Sequence, residues 1–82
     1  MLNFEELYLV YSADVYRFAY WLCGDRRDAE DITSDTFVRA WMNFDMIRTE
    51  TLKAYLFAIA RNTYLESLRK RHHHDQLTEL NM

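Results

Sequence analysis

Three groups of side chains could carry chemistry in this chain of 82 residues. They are a cluster of carboxylates between Asp25 and Asp35, three consecutive histidines at 72–74, and a single cysteine, Cys23. An enzyme needs a nucleophile held beside a base, or a glycine-rich loop that cradles phosphate. The chain has one glycine, and its carboxylates fall where a helix dipole and solvent explain them. The sequence therefore predicts no catalytic residues and no enzymatic activity.

The histidines at 72–74 raise the possibility of a metal site. Neighbouring positions on a helix point about 100° apart, so three in a row do not close on one ion, whereas helical ligand pairs stand four residues apart. In an unwound tail they could bind nickel or zinc weakly. The preferred interpretation is a polar, basic helix end, with an artificially added segment as a further alternative, so we expect no metal and no cofactor.

Cys23 is interpreted as a small hydrophobic side chain of the core. A single cysteine excludes an internal disulfide framework and fits a reducing cytoplasm, which is the expected location. No segment approaches the run of about 18 apolar residues that a bilayer span requires, so we expect no membrane partner.

Helices must position these groups, because the chain has no proline and almost no turn residues. Apolar residues recur at helical spacing from residue 4 to residue 22, with Asn3 and Glu6 in a capping-box pattern. Gly24 is placed to end this helix in a left-handed conformation, and Asp25 to cap the next one. An all-α, compact three-helix domain is predicted.

The second helix is expected to stop near Asp45 and the third to be capped by Thr49 or Thr51. The predicted inward face of the second helix consists of Ala29, Ile32, Thr36, Phe37, Ala40, Trp41 and Phe44. Between Ala54 and Ala60 the third helix is apolar on more than one face, which predicts that it lies between the other two.

Charge is unevenly distributed along the chain, whose net charge is −3. Residues 1–47 carry nine acidic and four basic side chains, whereas residues 48–74 carry six basic and two acidic ones. One end could meet a basic partner and the other a phosphate backbone, although solvated helices often show such asymmetry as well.

Two motifs give the chain a resemblance to a known family. Residues 28–41 read Asp-Ala-Glu-Asp-Ile-Thr-Ser-Asp-Thr-Phe-Val-Arg-Ala-Trp, and residues 55–63 read Tyr-Leu-Phe-Ala-Ile-Ala-Arg-Asn-Thr. In this order and separation they resemble region 2 of sigma factors of the extracytoplasmic-function type. The resemblance covers about residues 4 to 71. It implies a specificity subunit that binds core RNA polymerase and helps melt the −10 promoter element.

The resemblance implies that the second helix docks on the clamp of the largest polymerase subunit. The matching positions share one face at helical spacing, with a serine nearby. These polymerase-binding candidates are Asp28, Asp31, Ser34, Asp35 and Arg39. Phe37 and Trp41 are expected to be core, and an anti-sigma factor is implied as a competitor for the same surfaces.

The resemblance also implies that the loop before the third helix, together with that helix, binds the −10 element as a single strand. Cations along the backbone and amides at base edges suit this task. The DNA-binding candidates are Arg48, Thr49, Thr51, Asn62, Glu66, Arg69, Lys70 and Arg71. Asn62 has two readings that stay open, a base contact or a bond to the loop backbone.

Residues 1–74 are interpreted as the helical domain and 75–82 as the start of a linker or tail. Complete members of the family carry a second domain that reads the −35 element, and these residues supply no match to it. The rival interpretation is a small helical protein–protein interaction module without DNA binding.

Overall fold

The computed structural model describes residues 3–43 and 52–80, with the backbone alone for residues 71–80. This part of the chain forms three α-helices, α1 (Phe4–Cys23), α2 (Arg26–Met42) and α3 (Leu52–Leu80). The predicted all-α fold is confirmed. Helix α3 continues through most of the segment 75–82 that was interpreted as a linker, and the domain division at residue 74 stays a prediction.

The boundaries of α1 and α2 follow the predicted capping residues. The Glu6 backbone N–H donates to Asn3 Oδ1 at 2.8 Å, and the Asp28 N–H donates to Asp25 Oδ1 at 2.9 Å. Gly24 has a φ of +68°, and its N–H donates to the Tyr20 carbonyl at 2.7 Å. Each cap satisfies a backbone group that the helix end would leave without a partner. Helix α2 ends at Met42, while Thr49 and Thr51 lie outside the described residues.

The core lies where the three helices meet. Each helix contacts both others, and the largest side chains without exposed surface are Leu7, Val15, Thr36 and Leu56. Thr36 is tolerated there because its hydroxyl donates to the Ile32 carbonyl at 2.7 Å, one turn earlier. No buried side-chain nitrogen or oxygen of the described residues lacks a hydrogen-bond partner.

Two expectations about the core are wrong. Helix α3 does not lie between the others, because every pair of helices is in contact and Ala54 and Ala58 are exposed. Trp41 is 63% exposed, whereas Phe37 is buried as expected. The three-helix arrangement leaves an outer side on each helix, and the apolar residues of α2 extend beyond the arc that its two neighbours cover.

Replacement of Gly24 by alanine should reduce the free energy of unfolding by about 1 kcal/mol, because a side chain in the left-handed conformation is strained. A Cβ at this position would meet no atom within 4 Å, so the loss is conformational and not steric. Urea denaturation measures it. Gly24→Asn should lose less, because asparagine adopts this conformation more readily. A Gly24→Ala variant as stable as the wild type would contradict the argument.

Candidate functional site

The acidic face of α2 lies beside α3. Asp31 and Asp35 are exposed, and Asp28 and Arg39 are half-buried at the border between the two helices. Asp28 and Asp31 line a cavity of about 100 Å³ together with Tyr64 of α3. The four polymerase-binding candidates other than Ser34 therefore share one side of α2, as their spacing predicts.

Ser34 lies at the edge of this exposed face that is nearer to α1. It lines a groove of about 270 Å³ between the two helices, which also exposes apolar side chains. The other residues of this groove are Phe4, Tyr8, Phe37, Val38 and Trp41. Phe37 is held from α1 by edge-on ring contacts with Phe4 and Tyr8, at centroid distances of 6.4 and 5.0 Å.

The prediction of site residues missed this groove, because Trp41 was assigned to the core. Val38 is 56% exposed and Trp41 is 63% exposed, three residues apart on the same helix. The available signal was the width of the apolar arc of α2, since a helix in a three-helix domain buries only the side that faces its neighbours. Exposed apolar residues that adjoin an acidic face form a surface suited to a protein partner.

A hydrogen-bonded ion pair joins the two predicted surfaces. Arg39 Nη2 of α2 donates to Glu66 Oε2 of α3 at 2.6 Å, and both side chains are about 40% exposed. The hydrogen bond from Arg39 is the main reason that the pKa of Glu66 is lowered, with further contributions from the charges of Arg39, Lys70 and Arg69. The same bond raises the pKa of Arg39.

This ion pair places a polymerase-binding candidate and a DNA-binding candidate in direct contact. Glu66 would repel a phosphate, and its carboxylate already accepts from Arg39. Its observed contacts are those of a residue that orients its neighbours across the α2–α3 junction. No local sequence pattern indicates this contact, because the two residues are 27 positions apart on different helices.

The outward side of α3 carries the other DNA-binding candidates that the structure describes. Asn62, Arg69 and Lys70 are exposed, and the charges of Arg69 and Lys70, three and four residues after Glu66 on the helix, contribute to the lowered pKa of Glu66. Asn62, Glu66 and Lys70 follow one another at four-residue spacing along one side of the helix. Arg48, Thr49, Thr51 and the side chain of Arg71 lie outside the described residues.

The described residues contain no group of three or more histidine, cysteine or acidic side chains placed to hold a metal ion. The side chains at 72–74 lie outside the described residues. Among the described helices, none combines the length and the apolar character needed to cross a membrane.

Comparison with known proteins places these features in a family context. The family model for sigma-70 region 2 matches residues 7–74. The ECF RNA polymerase sigma factor SigM of Bacillus subtilis is 35% identical over 69 residues, which cover 84% of this chain and 42% of that protein. SigE of Mycolicibacterium smegmatis, also an ECF RNA polymerase sigma factor, is 35% identical over 71 residues, which cover 87% of this chain and 28% of that protein.

BldN of Streptomyces coelicolor, also an ECF RNA polymerase sigma factor, is 41% identical over 61 residues, covering 72% of this chain and 23% of that protein. The chain thus spans less than half the length of these relatives. No solved structure gives a significant match.

The Arg39–Glu66 pair predicts a specific pH dependence of stability. Because the pKa of Glu66 is lowered in the folded chain, its contribution is complete above the unfolded-state value of about 4.3. That contribution disappears as the pH falls through the lower folded-state value. Thermal melts between neutral pH and about pH 3 should show a smaller loss of stability in Glu66→Gln than in the wild type.

Substitution of the partner provides the control for this effect. In an Arg39→Met background, Glu66→Gln should change the acid limb of the stability curve much less than it does in the wild type, because the hydrogen bond is already absent. An equal change in both backgrounds would show that the effect of Glu66 does not depend on Arg39.

Proposed function

Because this chain belongs to the sigma-70 region 2 family, we propose that it binds core RNA polymerase and recognises and helps melt the −10 element of promoters. It acts as a specificity factor in transcription initiation, in the cytoplasm, and has no catalytic step of its own. The observation that carries the proposal is the separation of charge between two adjacent helices. The exposed side of α2 is acidic and the outer end of α3 is basic, and the Arg39–Glu66 pair joins them.

The polymerase-binding surface combines the acidic face of α2 with the apolar groove beside it. Asp31, Asp35 and Val38 follow at helical spacing on the outward side of α2, and Ser34 and Trp41 continue that side toward α1. Charges of this kind steer a basic partner and fix its orientation, while apolar contacts supply most of the affinity. We propose that the clamp of the largest polymerase subunit covers this surface.

Arg39 and Asp28 have a supporting role in this proposal. Arg39 is bonded to Glu66, and Asp28 lies at the junction with α3 beside Asp31. Both are half-buried, so they form the edge of the surface. An anti-sigma factor is proposed as a competitor, because an exposed Trp41 and Val38 offer any second protein the same apolar contacts.

The DNA-binding surface is proposed on the outward side of α3 and the segment before it. Asn62 offers an amide donor and acceptor for a base edge, and Arg69 and Lys70 offer cations for the phosphates. Arg48, Thr49, Thr51 and Arg71 remain predicted members of this surface. Single-stranded DNA is the expected form, since the readout needs unpaired bases.

A helical interaction module without DNA binding is the second candidate function. It is favoured by the number of large apolar side chains that α1 and α2 expose, among them Leu9, Val10 and Met42. The two candidates differ in their partners. Capture of core RNA polymerase from a bacterial lysate, together with binding of single-stranded −10 sequence, supports the sigma factor role, and failure of both supports the module.

Reversal of Asp31 and Asp35 to lysine should weaken binding to purified core polymerase by about 1–3 kcal/mol while helicity is unchanged. The physical reason is the loss of attraction to a basic partner. Titration with labelled chain measures the affinity, and circular dichroism checks the fold. Trp41→Ala in the same titration tests the apolar groove.

The matched comparison for this test uses two single reversals that change the net charge equally. Asp35→Lys lies on the proposed surface, whereas Glu30→Lys lies on the side toward α1, where Glu30 pairs with Arg26 at 3.6 Å. Only the first should weaken binding. If Asp35→Lys and Glu30→Lys weaken binding equally, the interaction depends on net charge alone. If reversal of Asp31 and Asp35 leaves the affinity unchanged, these two residues are not part of the interface.

Binding of DNA by the isolated chain should be weak, with a Kd of about 10⁻⁴ to 10⁻⁶ M, because the acidic half repels phosphate. Single-stranded −10-like sequence should bind better than duplex. Lys70→Ala should weaken every sequence alike and reduce the salt dependence by about one phosphate contact. Asn62→Ala should change the preference among sequences. Fluorescence anisotropy on a panel of oligonucleotides across a salt series measures all three effects.

Two outcomes of that series would contradict the readout. Equal affinity for duplex and single strand would leave a merely electrostatic patch on α3. If Asn62→Ala binds every oligonucleotide as the wild type does, Asn62 contacts no base. Its role is then a bond to the backbone of the loop before α3.

A further inference from the structure

An aromatic cluster, consisting of Trp21, Phe18 and Phe57, lies at the junction of α1 and α3 and has no part in the two surfaces above. The rings of Phe18 and Phe57 are stacked with centroids 4.5 Å apart and planes within 10°. Trp21 is stacked against Phe18 at 6.3 Å with planes within 17°. Trp21 is 78% exposed, more than any other large hydrophobic side chain described. The cluster thus presents an exposed indole ring that lies roughly parallel to the Phe18 ring beside it.

Cations lie on both helices that carry this cluster. Lys53 Nζ lies 5.7 Å from the centroid of the Phe57 ring. Arg17 stands one turn before Trp21 on α1, and Arg61 stands one turn after Phe57 on α3, both exposed. One carboxylate, Asp14, pairs with two of them, at 3.8 Å from Arg17 and 3.7 Å from Lys53. The balance of these charges is positive, in contrast to the acidic face of α2.

The cluster is separate from the proposed −10 surface. Phe57 and Asn62 are five residues apart on α3, which places them about 140° apart around the helix axis. Phe57 faces Phe18 of α1, whereas Glu66, on the same side as Asn62, faces Arg39 of α2. A strand bound along the outer side of α3 would leave Trp21 uncovered.

Flat rings flanked by cations are the chemistry with which proteins hold single-stranded nucleic acid independently of sequence. A base adds to a stack of parallel rings, and phosphates pair with the surrounding cations. A folded acidic protein would satisfy the cations but would gain nothing from the parallel orientation of the rings.

We propose that the aromatic cluster, with Arg17, Lys53 and Arg61, is a second contact site for single-stranded nucleic acid, on which a base stacks against Trp21. The site holds the strand without reading its sequence. It rests on the proposed function, because it requires that unpaired DNA is present at this domain.

Trp21 itself provides the probe. The chain has two tryptophans, so Trp41→Phe leaves Trp21 as the sole one. Titration of that variant with oligothymidylate of about 20 nucleotides should quench its fluorescence to saturation, because a stacked base quenches indole. In the wild-type background, Trp21→Ala should weaken binding of the same oligonucleotide about tenfold in anisotropy, and Trp21→Phe should retain most of the affinity. Arg17→Gln combined with Arg61→Gln should lower the salt dependence by about two phosphate contacts.

Several results would overturn the site. One is Trp21 fluorescence that stays unquenched at saturating oligonucleotide. Another is equal quenching by heparin, which has no bases. The third is a Trp21 signal that depends on protein concentration alone, which indicates a second copy of the chain. Circular dichroism of Trp21→Ala verifies that the fold is retained.

Failure of the proposed function has a different signature. If no oligonucleotide binds at all, both the −10 surface and the second site are excluded. In a second case, Asn62→Ala and Lys70→Ala alter the anisotropy, but Trp21 fluorescence is not quenched and Trp21→Ala binds as the wild type does. That result supports the −10 surface and excludes the second site.

Discussion

Close approach of three helices at small buried side chains is the constraint on which the rest of this structure depends. Ala19 of α1, Ala29 and Ala40 of α2, and Ala60 of α3 have no exposed surface. An alanine buried between two helices lets their backbones come nearer to each other than a larger side chain would. A larger residue at any of these four positions would force the helices apart, since a packed core accommodates added volume poorly.

Contacts at the margins follow from that approach. Arg39 reaches Glu66 across the α2–α3 junction, and Phe18 stacks on Phe57 across the α1–α3 junction. Each junction thus has its own chemistry, ionic in one case and aromatic in the other. The two junctions position the chemical groups that face outward on either side of them. An acidic surface and a basic one can therefore lie on adjacent helices of a domain that has a single small core.

Most of the fold could be predicted from the sequence because its signals are local. Asn3, Gly24 and Asp25 act on backbone groups within four residues, and the structure shows each in its predicted role. The exposed position of Trp41 was missed because periodicity alone reports spacing, whereas the signal lay in the width of the apolar arc of α2. The Arg39–Glu66 contact depends on the crossing of two helices, and no local signal encodes it.

For the candidate site, spacing correctly placed Asp28, Asp31, Asp35 and Arg39 on one side of α2. It could not separate Ser34 from them, because the difference lies in which neighbour each residue faces. The assignment of these residues to polymerase binding stays a prediction, as does that of the loop candidates. The aromatic cluster went unrecognised since Phe18 and Trp21 read as part of an ordinary amphipathic helix.

The connection between α1 and α2 consists of Gly24 and Asp25 alone. Helices joined so briefly are antiparallel neighbours, and closing a connection of two residues demands little chain entropy. The α1–α2 hairpin is therefore the most local unit of the fold, and we expect it to form early, before α3 docks. During synthesis it also emerges from the ribosome before α3. The acidic surface of α2 and the groove beside it belong to that hairpin, whereas the basic surface belongs to α3, which docks after the hairpin has formed. The short connection between α1 and α2 therefore favours formation of the acidic surface before the basic one.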